Sequence, residues 1–197
     1  MTKNNNLEEK PRLPPGQHLT ERFPVLQKGR VAHIDRASYK LEIDGEIENS
    51  VVISLNELYE LQDKEIIADI HCVTSWSKFD TKWRGVSFNK ILNLVKPKKT
   101  AKFVEFYCAD DGFTTTVPIA AIKKENTLLA LTYEGGPIID KHGGPVRPIF
   151  PDLYFYKSAK WVKRITFLKK DKLGYWERGG YSNKADPWKE QRYSYND

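Results

Sequence analysis

Turn-forming residues cut this chain into periodic stretches too short for long helices. Where Tyr39, Leu41 and Ile43 alternate with Lys40, Glu42 and Asp44, the period of two is that of a half-buried strand. The apolar run 65–72, with Ile66, Ile67, Ala68 and Ile70, has the length of a buried strand. Further strands are expected at 103–108, 113–117, 128–133, 146–150 and 162–168, with Asp111-Gly112 and Gly135-Gly136-Pro137 as turn chemistry between them. Ser54 and Glu57 form a capping box for a short helix carrying Leu55, Leu58 and Leu61. Ser87 caps a second helix whose inner face is Phe88, Ile91, Leu92 and Val95, and Pro97 stops it. Many short strands with a few short helices define an α+β fold, a mixed β-sheet core with short helices packed around it.

At 197 residues the chain fits a single domain. Residues 1–35, broken by Pro11, Pro14, Pro15, Gly16, Pro24 and Gly29, read as an extended segment packed on the domain through Leu19, Phe23, Val25 and Leu26, with 36–197 forming the domain proper. The tail after Asp171 is polar yet holds Tyr175, Trp176, Tyr181, Trp188, Tyr193 and Tyr195, too aromatic for a disordered segment, so it is expected to fold back on the body. No apolar run reaches the roughly 20 residues of a membrane span, and no export signal is read at the start, so the cytoplasm is the expected compartment. A net charge of +6 admits nucleic acid, a membrane surface or a phosphate-bearing cofactor as an anionic partner.

Two places attract chemistry. Cys72 ends an apolar strand and opens into Val73-Thr74-Ser75-Trp76-Ser77. It is either a small buried hydrophobe or a soft thiolate for a transition metal whose other ligands come from a cofactor. His71 is no partner for it, because neighbours on a strand point to opposite faces, and the cysteines and histidines show no zinc spacing. The second place is His142-Gly143-Gly144-Pro145-Val146-Arg147 with Tyr156-Lys157-Ser158-Ala159-Lys160-Trp161. Arg147, Ser158 and Lys160 suit a phosphate cradle approached through two glycines; the same residues also read as a turn and a wet lysine face. Asp110 and Asp111 read as turn residues, and Thr114-Thr115-Thr116 as a β-branched strand edge.

In order along the chain, Leu13-Pro14-Pro15-Gly16-Gln17, Phe23-Pro24-Val25-Leu26, Asp69-Ile70-His71-Cys72-Val73-Thr74-Ser75-Trp76-Ser77, Trp83-Arg84-Gly85-Val86 and Asp111-Gly112-Phe113-Thr114-Thr115 are followed by the two stretches just described, by Gly174-Tyr175-Trp176-Glu177 and by Asp186-Pro187-Trp188. Together they make the chain resemble the sulfite-oxidase-type molybdopterin oxidoreductases, in particular the small proteins that consist of the molybdenum domain alone. The resemblance implies the molybdopterin-binding fold of that family, a molybdenum-molybdopterin cofactor and oxygen-atom transfer, as sulfite-like oxidation or as sulfoxide or N-oxide reduction. It implies Cys72 as the metal ligand and catalytic residue. Cys108, His142, Arg147, Ser158, Ala159 and Lys160 then lie at the cofactor, with the loop 14–17 covering it. For the substrate, Arg84 and Lys78 would aim charge at an anion, whereas Trp76, Tyr107 and Phe79 would make a less polar mouth for a neutral sulfoxide. The larger relatives' second β-sandwich and haem domains have no counterpart, so a separate redox protein is expected to exchange electrons. The competing reading is a non-catalytic basic β-rich domain, with Lys98, Lys99, Lys169 and Lys170 on nucleic-acid phosphates and the C-terminal rings on bases.

Overall fold

A computed structural model describes residues 11–110 and 112–197. Two sheets form the body. In the first, β5 (Trp76–Ser87) is the central strand. It pairs antiparallel with β4 (Lys64–His71) along one side; along the other it pairs with β1 (His18–Leu19) at its start and β8 (Leu128–Tyr133) at its end. Beyond β8 lie β9 (Gly136–Pro137) and β10 (Arg147–Ile149). The second sheet runs in the order β3 (Val51–Ser54), β2 (Lys40–Gly45), β11 (Val162–Leu168), β6 (Phe103–Cys108) and β7 (Thr114–Pro118); only β2 and β11 are parallel.

Helix starts follow the capping chemistry. Ser54 and Glu57 close the capping box of α1 (Leu55–Glu60). Ser87 accepts from the Lys90 amide at the start of α2 (Phe88–Val95), and Lys96, in the left-handed region at φ 50°, ends it before Pro97. Two short helices, α3 (Ile119–Ile122) and α4 (Tyr175–Arg178), carry too few residues for a readable period.

Both faces of the first sheet are covered, which explains why β8 reads as a continuous apolar run. Val86, Leu129 and Leu131 face the main core with Leu41, Ile43 and Phe106 of the second sheet. Trp83, Leu128 and Ala130 face a second, smaller core with Ile70, Cys72 and Trp76. The strand β5 itself was not legible as one, although Thr81 and Trp83 point inward between exposed Lys82 and Arg84. Gly85 of β5 has no alternative: a Cβ there would lie 2.0 Å from the Leu129 carbonyl oxygen.

The N-terminal stretch from residue 11 crosses the end of the first sheet. Arg12 bridges Asp69 and Asp80 and lies 4.2 Å from the centre of the Phe79 ring. Residues 18–19 add β1 to the sheet, and Phe23 stacks on His142 at 4.0 Å. Residues 1–10 of the expected N-terminal segment, and Asp111 of the expected Asp-Gly turn, lie outside the described residues. Around that position the Phe113 amide donates to the Asp110 carbonyl at 3.1 Å, with Gly112 at φ 79°.

Candidate active site

Where β4 ends, the chain turns sharply back into β5. The Cys72 amide donates to the Trp76 carbonyl (2.8 Å), the Ser75 amide donates to the Cys72 carbonyl (3.0 Å), and Ser75 adopts φ 74°. The turn carries the Cys72 side chain into a hollow of about 760 Å³, its open mouth included. Its sulfur lies 3.2 Å from the Thr74 hydroxyl. Burial pushes the thiol up, against smaller opposing effects of Thr74 and Arg192, so the sulfur ionises when a cation binds it. His71 points to the opposite face, bonded to the Ser77 hydroxyl at 2.8 Å and packed edge-on against Trp188.

Arg147 forms the deep wall. Fully buried at the start of β10, its guanidinium donates to the His142 carbonyl (2.7 Å) and to the Ser158 carbonyl, and lies 4.2 Å from the centre of the Phe155 ring. Its Nε is buried with no acceptor, and burial lowers the group to about 9. Beside it, the Lys160 ammonium donates to the Lys141 carbonyl (2.9 Å) and to Gln27 Oε1 (3.2 Å). Burial, and after it the charge of Arg147, pushes Lys160 down to about 7, while Asp110 and Cys72 pull the other way. A buried guanidinium with an unused N–H and a lysine driven toward neutrality are what an anion in the hollow would satisfy.

That assignment has a pH signature. Below about 7 Lys160 is charged and attracts an anion; above it the attraction fades. Sulfate, which does not titrate here, is therefore expected to bind cofactor-free protein about tenfold more tightly at pH 6 than at pH 8. Titration calorimetry on wild type and Lys160→Met checks this, with the variant losing the dependence.

Of the other expected site residues, Trp76 and Ala159 line the hollow. Ser158 is buried with its hydroxyl accepting from the Phe150 amide (2.9 Å), so its role here is to hold backbone. His142 lies behind the wall. Burial lowers its ring to about 4, and its carbonyl anchors Arg147. The two glycines do not offer their amides to a ligand: Gly143 donates to Asp140 and Gly144 to Ile139. Instead they let the chain close up, since a Cβ on Gly143 would lie 2.7 Å from Lys160 Cγ and one on Gly144 would lie 1.9 Å from the Ile138 carbonyl oxygen.

Other candidates are not brought to the hollow. Cys108 is sealed in the main core. Arg84 points out of the first sheet beside Gln62, Glu65 and Lys82. Tyr107 is exposed beside Lys40, Lys163 and Arg164. Each follows from strand alternation, which sends Arg84 away from buried Trp83 and Tyr107 away from buried Phe106. Lys78 donates to the Glu21 carbonyl, and Phe79 sits under Arg12; neither lines the hollow. In their place the N-terminal stretch supplies Phe23, Gln27 and Lys28, the short helical turn Phe155–Lys157 supplies Tyr156, and the C-terminal stretch supplies Trp176 and Tyr181. The aromatic tail is the signal for the last two, and Trp176 also stands in one of the stretches that carry the family resemblance. Trp176 and Tyr181 pack 5.3 Å apart and Trp188 packs on His71, while Tyr193 and Tyr195 remain exposed.

Comparison with known proteins turns this arrangement into a class: the chain is a molybdenum-molybdopterin-dependent oxidoreductase of the sulfite-oxidase type, the oxygen-atom-transfer enzymes. It belongs to the oxidoreductase molybdopterin binding domain family, whose model matches residues 28–176. The chain is 37% identical to the uncharacterized oxidoreductase YuiH of Bacillus subtilis, over 98% of each chain. It is 32% identical to the putative protein-methionine-sulfoxide reductase subunit YedZ1 of Azospira oryzae, over 85% of this chain and 64% of that one. With the protein-methionine-sulfoxide reductase catalytic subunit MsrP of Campylobacter jejuni it shares 26% identity over 71% of its own length and 52% of the other. Among solved structures, the sulfane dehydrogenase SoxCD of Paracoccus pantotrophus shares the fold, with a TM-score of 0.64 at 19% identity over 71% of this chain and 40% of that one. The α+β reading and the family resemblance agree with these findings. No helix among the described residues is long and apolar enough to cross a membrane.

Proposed function

We propose that this oxidoreductase reduces a neutral sulfoxide, taking electrons from a separate redox protein. The observation that carries the reading is how charge is distributed in the hollow. Arg147 is buried in its wall with half-buried Lys160 beside it, Lys28 lies 4.3 Å from the centre of the Tyr175 ring, and Phe23, Phe113, Trp76, Trp176 and Tyr181 supply rings to the lining. Neither Arg84 nor Lys78 lines it to hold an anionic substrate. Two methionine-sulfoxide reductases among the relatives support the same direction.

In this reading Cys72 holds the metal through its sulfur, and Arg147 with Lys160 offsets the charge of the pterin phosphate. His142 and Ser158 keep Arg147 in place through their carbonyls. When bound, the cofactor supplies the two-electron couple and the exchangeable oxygen position. The rings displace water and seat an uncharged substrate. Reduction of the sulfoxide consumes two electrons and two protons and releases the sulfide and water.

The test is a substrate panel with an artificial one-electron carrier. Methionine sulfoxide is expected to turn over at least about 100-fold more efficiently than sulfite, a gap of roughly 3 kcal/mol in transition-state binding. Sulfite oxidation without sulfoxide reduction overturns the reading.

A further inference from the structure

The turn that carries Cys72 is held from outside. Its own backbone makes only the two hydrogen bonds already described, and Ser75 sits in the left-handed region at φ 74°, a conformation that persists only where surrounding structure enforces it. Both ends of the chain reach this turn. From the N-terminal stretch, the Gln17 carboxamide donates to the Cys72 carbonyl at 3.1 Å, and the His18 amide donates to the Ser75 carbonyl at 2.9 Å. From the C-terminal stretch, Arg192 donates to the Val73 carbonyl at 2.6 Å and to the Gly16 carbonyl at 3.1 Å. Its guanidinium lies 5.0 Å from the centre of the Tyr154 ring, and its side chain is 13% exposed.

The orientation of Gln17 is fixed by its partners. A carbonyl only accepts, so the amide nitrogen faces Cys72; its oxygen then accepts the Ser77 hydroxyl at 3.2 Å. Ser77 having given its proton, His71 Nδ1 must donate to the Ser77 oxygen. The result is a one-way series of donors from His71 through Ser77 and Gln17 to the Cys72 carbonyl. Gly16 completes the join, because a Cβ there would lie 3.0 Å from an Arg192 nitrogen and 2.5 Å from Glu190 Oε1.

We infer that Gln17 and Arg192 are positioning residues for the metal-ligating sulfur: they fasten the two carbonyls at Cys72 and Val73 to the chain's two ends and so fix where Cys72 presents its thiolate. The inference rests on Cys72 being the molybdenum ligand. Groups that orient a metal ligand without touching the metal are worth about 10–100-fold in metal affinity or activity. Arginine is needed because its planar fork serves two carbonyls at once, which a lysine ammonium does with poorer geometry.

The experiment uses cofactor-loaded protein with Gln17→Leu, Arg192→Met and Arg192→Lys. Three readouts are followed: molybdenum per chain, the sulfur-to-metal absorption band, and amide exchange of residues 72–77 against residues of β6 and β11. The expected result for Gln17→Leu and Arg192→Met is a shifted band, molybdenum lowered about tenfold, and exchange in 72–77 raised about tenfold with β6 and β11 unchanged. Arg192→Lys is expected to recover part of each. A wild-type band, metal content and turn exchange in both non-conservative variants overturns the inference. If wild type itself holds no molybdenum, the ligand assignment fails, and faster exchange confined to 72–77 shows only a structural clasp, which also overturns the positioning role. A variant that loosens everywhere indicates general destabilisation and counts against it in the same way.

Discussion

Replacing Cys72 with serine is expected to abolish turnover and strip molybdenum from the protein while leaving the fold intact. Loss of groups that merely orient a metal ligand costs about 10–100-fold, so loss of the sulfur itself should exceed about 100-fold in both metal content and activity. Serine is smaller, harder and far less acidic than a thiol, and it binds a soft metal site poorly. The fold should tolerate the change, because the residue borders the hollow and Thr74 offers the new hydroxyl a hydrogen-bond partner at the place where it now meets sulfur. The cost is put at about 1–2 kcal/mol for the buried hydroxyl. Cys108→Ser supplies the opposite pattern. That thiol is 1% exposed in the main core and does not line the hollow, so serine there should lower the denaturation midpoint yet leave molybdenum per chain at the wild-type value. Metal analysis beside urea unfolding of the two variants separates the roles. Wild-type turnover in Cys72→Ser defeats the ligand assignment.

The contrast between the two cysteines shows what a one-dimensional reading conveys. Local patterns served well where the physics is local: the caps at Ser54 and Ser87 start their helices, and the 65–72 run delivers Cys72 to a strand end. The central strand was missed because its inward residues include Thr81, Trp83 and Gly85 instead of an aliphatic row, and because Asp80, at φ 54°, interrupts it. Without β5 recognised as a strand, nothing assigned Arg84 to its outer face, and Arg84 looked like a neighbour of the cysteine loop. Arg192 lies 119 positions from the carbonyl it holds. No spacing rule reaches that far, since the contact exists only after both chain ends have closed over the first sheet. The Gly-Gly pair reads either as room for a ligand or as a plain turn; it makes room for Lys160 and for the Ile138 carbonyl.

Lys157 gives the sharpest reversal, and a large stability effect with it. Beside Ser158 and Lys160 it read as a solvated lysine, yet its side chain is 1% exposed and meets the 0%-exposed Glu177 at 2.5 Å. Its ammonium also donates to the Thr116 carbonyl (2.9 Å) and to Asn183 Oδ1 (3.2 Å), while Thr115 donates to Glu177 at 2.6 Å. Burial pushes the lysine down and the Glu177 charge pulls it back up. The pair joins the loop that carries Lys160 to α4, which carries Trp176, and so ties together two parts of the wall around the hollow. Lys157→Met leaves a buried carboxylate without its cation and should cost about 3–5 kcal/mol. For a chain of this size that is a fall of roughly 6–20 °C in Tm. Glu177→Gln keeps an acceptor for the ammonium and should cost less, about 1.5–3 kcal/mol. The double variant Lys157→Met with Glu177→Leu removes both charges and should recover much of the loss of the single Lys157→Met change, because two apolar side chains of similar volume avoid the desolvation that the ion pair suffers. Thermal and urea unfolding of the three variants measure these differences. A Lys157→Met protein within about 1 kcal/mol of wild type would mean that water reaches Glu177 and that the wall does not depend on the pair.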